Sequence, residues 1–159
     1  YIEAETLLGT LTPFMLAVME TGEKSVEALK LLLKKANYVN HPMIMNAFLA
    51  AIEYNDLEKM KVFLKAGIDV NKKDEKGNTP LLISVQEGAI QITKELIEAG
   101  ADVLAKNDDG VDAFNQAMKN GDIETAHLIQ EAVKEGLLKR KVVSQQVLTP
   151  QNFGRQNGI

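Results

Sequence analysis

The 159-residue chain has no cysteine, no tryptophan, only four prolines and 5% aromatic residues. Without cysteine there is no disulfide framework, no thiolate metal site and no thiol nucleophile. Its 18 basic residues are outnumbered by 22 acidic ones, and a net charge of −4 provides no basic footprint for nucleic acid. No apolar run approaches the roughly 20 residues that cross a bilayer, and no signal peptide opens the chain. These absences predict an intracellular, cytoplasmic protein with no nucleic-acid and no membrane partner. The first residue is Tyr1, which leads us to expect a segment of something longer. What is present is 45% hydrophobic and 25% charged residues. That suits one ordinary domain, burying about two-thirds of the surface of its unfolded chain. With so few rings, the buried contacts must come from small aliphatic side chains.

Those aliphatics recur with a period. Gly67 and Gly100, Gly77 and Gly110, and Gly88 and Gly121 are each 33 residues apart. Apolar or small residues keep the same beat at Phe14, Ala17, Val18; Phe48, Ala51, Ile52; Leu81, Ser84, Val85; and Phe114, Ala117, Met118. Each set is spaced i, i+3, i+4, one face of a helix. A second helix face follows in each unit: Val26, Leu29, Leu32, Leu33; Leu57, Met60, Phe63, Leu64; Ile90, Thr93, Leu96, Ile97; and Ile123, Ala126, Ile129, Gln130. Four pairs of helices of about ten residues are predicted, in an all-α repeat array.

At these residues the chain resembles a known family. Gly77-Asn78-Thr79-Pro80-Leu81, Ala99-Gly100-Ala101-Asp102-Val103 and Lys65-Ala66-Gly67-Ile68-Asp69-Val70-Asn71 are similar to the ankyrin repeat, and Thr12-Pro13-Phe14 resembles its helix start. The resemblance implies a solenoid of helix-turn-helix units with projecting hairpin-like turns. It places the repeats at about 10–40, 41–73, 74–106 and 107–141. Residues 1–9 would form a capping helix or the remnant of an upstream repeat, and 142–159 a polar tail or linker.

The local chemistry supports such units. Thr79 before Pro80, and Thr12 before Pro13, read as helix caps with proline at the first helical position. Asn46-Ala47 and Asp112-Ala113 keep the capping side chain alone. Gly67 and Gly100 suit helix ends, and Gly77 and Gly110 suit tight turns. Where the family usually has His two residues after the proline, this chain has Met15, Leu49, Leu82 and Asn115, so its usual hydrogen bonds between turns are not expected. Pro13 to Val26 spans 13 positions against 10 for Pro80 to Ile90, which predicts a longer loop near 21–25. Asn40-His41-Pro42-Met43 lacks the Asp and Gly of a good turn and predicts an irregular tip. Gln130, at an otherwise apolar position, predicts a last layer facing water, finished by the run from Lys134 to Lys141.

No residue pattern signals catalysis. His41 and His127 lie far apart, with no cysteine or carboxylate cluster to complete a metal site. Asn107-Asp108-Asp109-Gly110 looks superficially like a calcium loop, yet it lacks the alternating oxygen ligands and falls on the repeat turn. Ser25, Ser84 and Ser144 have no nucleophile context, and there is no phosphate-binding glycine loop. No catalytic, metal or cofactor residue is therefore assigned.

What is left is a surface for another protein. The resemblance implies a concave face lined by the turns and the exposed ends of the first helices. Its candidate partner-binding residues are Met19, Glu20, Glu53, Tyr54, Gln86, Glu87, Lys119 and Asn120 on the helices. On the turns they are Lys73, Glu75, Lys76, Asn78, Lys106, Asp108, Asp109 and Val111. Tyr54 is of the residue type enriched at interface hot spots, flanked by an acidic stripe of Glu20, Glu53 and Glu87. The expectation is a monomeric, non-enzymatic protein-interaction module. The rival expectation is a regulatory or targeting part of a larger protein, an enzyme or a bacterial effector working in host-cell cytosol. A third is a purely architectural role, packing on its own chain or a second copy.

Overall fold

The computed structural model describes residues 13–36 and 41–139. The expected capping segment 1–9 and tail 142–159 lie outside them. Among the described residues there is no β-strand. The elements are α1 (Pro13–Met19), α2 (Glu23–Lys35), α3 (Pro42–Glu53), α4 (Leu57–Lys65), α5 (Pro80–Gln86), α6 (Ile90–Glu98) and α7 (Ala113–Asn120), followed by a helical stretch over 123–139, here α8. First helices stack on first helices (α1 on α3, α3 on α5, α5 on α7) and second on second (α2 on α4, α4 on α6). Among the described residues the main packing is thus between neighbouring layers, as in a solenoid.

Capping side chains set the helix starts. The side-chain oxygen of Thr79 accepts from Leu82 N at 3.2 Å, that of Asp112 from Asn115 N at 2.8 Å, and that of Asp56 from Lys59 N at 3.1 Å. The second unit differs from expectation. Its first helix is capped by His41, whose Nδ1 accepts from Met43 N at 3.3 Å, and it starts with Pro42. Asn46 therefore lies one turn inside the helix, and His41-Pro42 is a helix start, not part of a turn tip.

The expected long loop near 21–25 is also absent. Residues 20–22 join α1 to α2, matching residues 54–56 and 87–89 in the next two units. The sequence comparison paired Val26 with Leu57, whereas the buried pairs are Val26 with Met60 and Leu29 with Phe63, one helical turn further on. The surplus residues extend α2 at its C-terminal end, making it 13 residues against nine for α4 and α6.

The core runs along the array. Phe48 and Phe63 are fully buried, their rings 5.6 Å apart and tilted by 60°. Around them the layers close on Ala47, Ala51, Leu82, Leu96, Ala117 and other small aliphatics. Two hydrophobic residues assigned to the apolar faces are exposed: Met118 at 49% and Ile123 at 59%. Both sit in the last pair, where the described residues place no further layer against them. Gln130 is exposed as expected.

Two fingers project, over 66–79 and 99–112. Gly67 and Gly100 close the preceding helices at φ of 85° and 94°. In the first finger Asp74 organises the turn. Its Oδ1 accepts from Lys76 N and Asn78 N at 2.9 and 2.8 Å, and its carbonyl accepts from Gly77 N at 3.1 Å. In the second finger Asn107 takes over the role, its Oδ1 accepting from Asp109 N and Val111 N at 3.1 and 2.9 Å. Gly77 is required twice over. Its φ is 74°, and a Cβ there would lie 2.9 Å from the Asp108 backbone nitrogen of the neighbouring finger.

The usual histidine network is replaced rather than lost. Asp108 N donates to the Lys76 carbonyl at 3.2 Å, Asn107 Nδ2 to Asn78 Oδ1 at 3.0 Å, Lys73 Nζ to the Lys106 carbonyl at 2.8 Å, and Asp102 N to Asn71 Oδ1 at 2.8 Å. The two fingers are joined along their length.

Candidate functional site

The first finger, α3 and α5 together line an open cleft of about 600 Å³. Pro42, Met45, Leu49 and Ile83 supply its apolar surface, and Asn46 borders it. Glu53, Gln86 and Glu87 come from the helix ends, and Lys72, Lys73, Asp74, Glu75, Lys76 and Asn78 from the finger. Four carboxylates and three lysines therefore share a partly apolar lining, with all three lysines on the finger and Glu53 and Glu87 on the helix ends. Such a surface suits a polypeptide with polar groups at spaced positions, since a few placed polar groups on an apolar lining fix orientation.

Of the residues expected to bind a partner, this cleft gathers Glu53, Lys73, Glu75, Lys76, Asn78, Gln86 and Glu87. Asn78 needs correction as an exposed turn position. It is 7% exposed, receives hydrogen bonds from Asn107 and, at 3.5 Å, from Gln86, and donates to Asp74 Oδ2 at 3.3 Å. Its side chain holds the cleft wall together, and little of it is offered to a partner. Tyr54 is 58% exposed at the end of α3 but does not line the cleft. Met19 and Glu20 lie at the end of α1, exposed and outside it.

The remaining residues belong to the outer finger and the last unit. Lys106, Asp108 and Asp109 are exposed on the second finger, while Val111 is half-buried. Lys119 is exposed beside Asn120. Asn120 already has a structural task, since its Nδ2 donates to the Val85 carbonyl at 3.0 Å and ties α7 to α5.

Sequence reasoning missed several residues. Lys72 and Asp74 line the cleft, although only their neighbours were singled out; their place on the same finger was the available signal. More consequential is Lys59, which is 2% exposed. Its Nζ donates to the carbonyls of Val18, at 2.9 Å, and of Glu20, and pairs with Asp56 at 3.3 Å. Three donors meet three acceptors, which is how a lysine is tolerated inside. The signal was a lysine exactly one repeat before Ile92 and two before Thr125, on a face otherwise closed to water.

Elsewhere, Asp122 caps α8. The Thr125 hydroxyl donates to it at 2.6 Å and the Thr125 N–H at 3.0 Å, holding its carboxyl below the ordinary value of 3.8 against a smaller opposing effect of desolvation. Among the described residues no three His, Asp or Glu side chains converge as metal ligands, and no helix is long and apolar enough to cross a membrane. Ser84 is buried, bonded to the Leu81 carbonyl at 2.7 Å and to Thr93 at 2.9 Å; its hydroxyl fills a core position.

Comparison with known proteins bears on the same stretch. A family model described as ankyrin repeats, in three copies, matches residues 47–136. Over 70 residues the chain is 41% identical to protein phosphatase 1 regulatory subunit 27 of Homo sapiens, and equally to that of Mus musculus. The alignment covers 44% of this chain and 46% of each relative, so the chain spans less than half the length of the relatives it matches. Stacked helix pairs, a 33-residue beat, fingers that bond to each other and a family match over more than half its length establish that the chain belongs to the ankyrin-repeat family.

Proposed function

We propose that the chain is a non-enzymatic protein-interaction module that holds a segment of a partner protein in the cleft between α3, α5 and the first finger. The observation that carries this reading is the cleft itself, where six exposed residues expected to bind a partner share one partly apolar space. Glu53 and Glu87 project from successive layers and suit cationic side chains of the partner, while Lys72 and Lys76 on the finger suit its carboxylates. Family membership supports a binding role, because the scaffold is shared and the exposed residues set specificity.

The test is an affinity pull-down with the full chain, followed by titration of the captured partner against Glu53→Lys/Glu87→Lys. Binding is expected to weaken by about 1–3 kcal/mol, with thermal melting unchanged because both residues are exposed. Unchanged affinity removes the cleft as the binding site. Tyr54→Ala, in parallel, tells whether the ring beside Glu53 takes part from outside the cleft.

A second reading is favoured by the similarity to a phosphatase regulatory subunit over 70 residues: the module acts on an enzyme, as the regulatory part of a larger assembly. Titrating the chain into the catalytic subunit of protein phosphatase 1 by calorimetry tests it. Absence of binding up to about 100 µM removes this reading and leaves the first one standing.

A further inference from the structure

The layer of second helices carries a groove of a different character. Between α2 and α4 lies a cavity of about 460 Å³ floored by Val26, Leu33, Val62 and Ala66. Lys30 and Lys34 rim it from α2, Lys61 and Lys65 from α4, and Glu58 is the one carboxylate in its lining. We propose that this groove docks an acidic segment of a partner protein that also carries aliphatic side chains, giving the module a second binding face behind the cleft.

Charge complementarity selects that occupant. The chain as a whole is negative, −4, so four lysines around one floor run against its overall balance. Two of them are only lightly engaged: Lys30 with Glu27 at 3.0 Å and Lys61 with Glu95 at 3.2 Å. Exposed pairs of this kind are weak and exchange readily. Lys34 and Lys65 have no carboxylate partner among the described residues. The floor adds the other half of the recognition, because an apolar strip between cations matches a segment whose carboxylates flank Leu, Ile or Val. A bare polyanion would leave that strip wet, and a nucleic acid would call for a wider basic field than four lysines.

The groove also arises where the array departs from its own repeat. Leu33 and Lys34 sit on the extra turn by which α2 exceeds α4 and α6. All of α2 precedes residue 47, where the family match begins. The α2 side of this face therefore lies outside the stretch matched by the family model, and the groove shares no lining residue with the cleft proposed above.

The test pans a library of random short peptides against the full chain and measures the selected peptides by fluorescence anisotropy. Enriched peptides are expected to intersperse Asp and Glu with aliphatic residues. Lys34→Glu/Lys65→Glu should weaken them by at least about tenfold, and raising the salt should weaken them further. Glu53→Lys/Glu87→Lys should leave them within about twofold. All four positions are exposed, and circular dichroism verifies that both variants stay folded. The proposal is overturned if no acidic peptide is selected, or if the cleft variant rather than the lysine variant loses binding. Polyglutamate binding as tightly as the selected peptides also overturns it, since the floor would then contribute nothing. So does sedimentation with phosphatidylserine vesicles that the lysine reversals abolish while they spare the peptides, which assigns the lysines to a lipid surface.

Discussion

At the junction of the first two units, a lysine from the second helix α4 reaches back to the carbonyls of Val18 and Glu20; at the junction of the last two, an asparagine ending the first helix α7 reaches back to that of Val85. Val18 and Val85 occupy the same place in their helices, near the end, where carbonyls lack intrahelical donors. Carbonyls at the same place are thus reached from the next layer by different chemistry, that of Val85 also accepting from Gly88 N at 3.1 Å. The surroundings differ too. Fingers accompany the later junctions (66–79 and 99–112), whereas only residues 36–41 connect α2 to α3. Where fingers bond to each other, the attachment of layer to layer is spread over several backbone groups. At the first junction α1 packs on α3 and α2 on α4, and one buried side chain, Lys59, adds the hydrogen bonds that reach back to Val18 and Glu20.

The largest expected effect breaks that contrast at its concentrated end. Lys59→Ala strands two carbonyls and the Asp56 carboxylate and should destabilise the array by about 2–4 kcal/mol. Hydrogen exchange should show α1 and α2 opening before α5 to α7. Lys59→Met, which restores volume without donors, should recover part of the loss. Uniform opening along the array in either variant would mean that the first unit is not held in this way.

The next effect probes the finger side. Gly77→Ala forces a positive φ on a residue with a Cβ and crowds Asp108, which should destabilise by about 2–3 kcal/mol in urea melts. Gly110 has nearly the same φ but open space around it, so Gly110→Ala should lose only about 1 kcal/mol. Equal losses would show that the close approach of the fingers contributes nothing beyond the backbone conformation.

The smallest effect lies at the last layer and depends on pH. Asp122 has its folded-state carboxyl held below 3.8 by Thr125. Its contribution to stability is therefore complete above that value and fades as pH falls through the lower, folded-state value. Thr125→Val removes the hydroxyl donor, leaves the backbone one, and should lower stability slightly at neutral pH. Urea melts at several acidic pH values should show the gap between wild type and variant closing below about pH 4. A gap that widens instead would reverse the assigned role of Thr125.

Much of the fold was legible because the repeat writes the same physics several times. A glycine at a fixed offset, or an apolar triplet at i, i+3, i+4, is confirmed by its copies. Legibility failed where the copies diverge. The register of α2 was misplaced by a turn because Val26 could match Leu57 or Met60, and only packing distinguishes them. In sequence His41-Pro42 looks like an irregular tip, because histidine is an uncommon cap. Met118 and Ile123 keep the apolar pattern of inner layers while sitting in the last pair. The candidate site was half legible, since turn residues next to one another in sequence also share the cleft. Which of them is consumed by structure, as Asn78 and Asn120 are, depends on neighbours 29 and 35 residues away. Lys59 is the extreme case, with acceptors about 40 residues upstream.

The bonded fingers have a consequence for how binding would proceed in time. One wall of the cleft consists of backbone already fixed, by the Asp74 and Asn78 turn and by the bond from Asp108 to Lys76. A ligand arriving there has to freeze its own torsions but not those of the wall, so the entropic penalty falls on one side of the encounter. Such a surface favours capture without a preceding rearrangement, and differences in affinity among its ligands should appear mainly as differences in residence time.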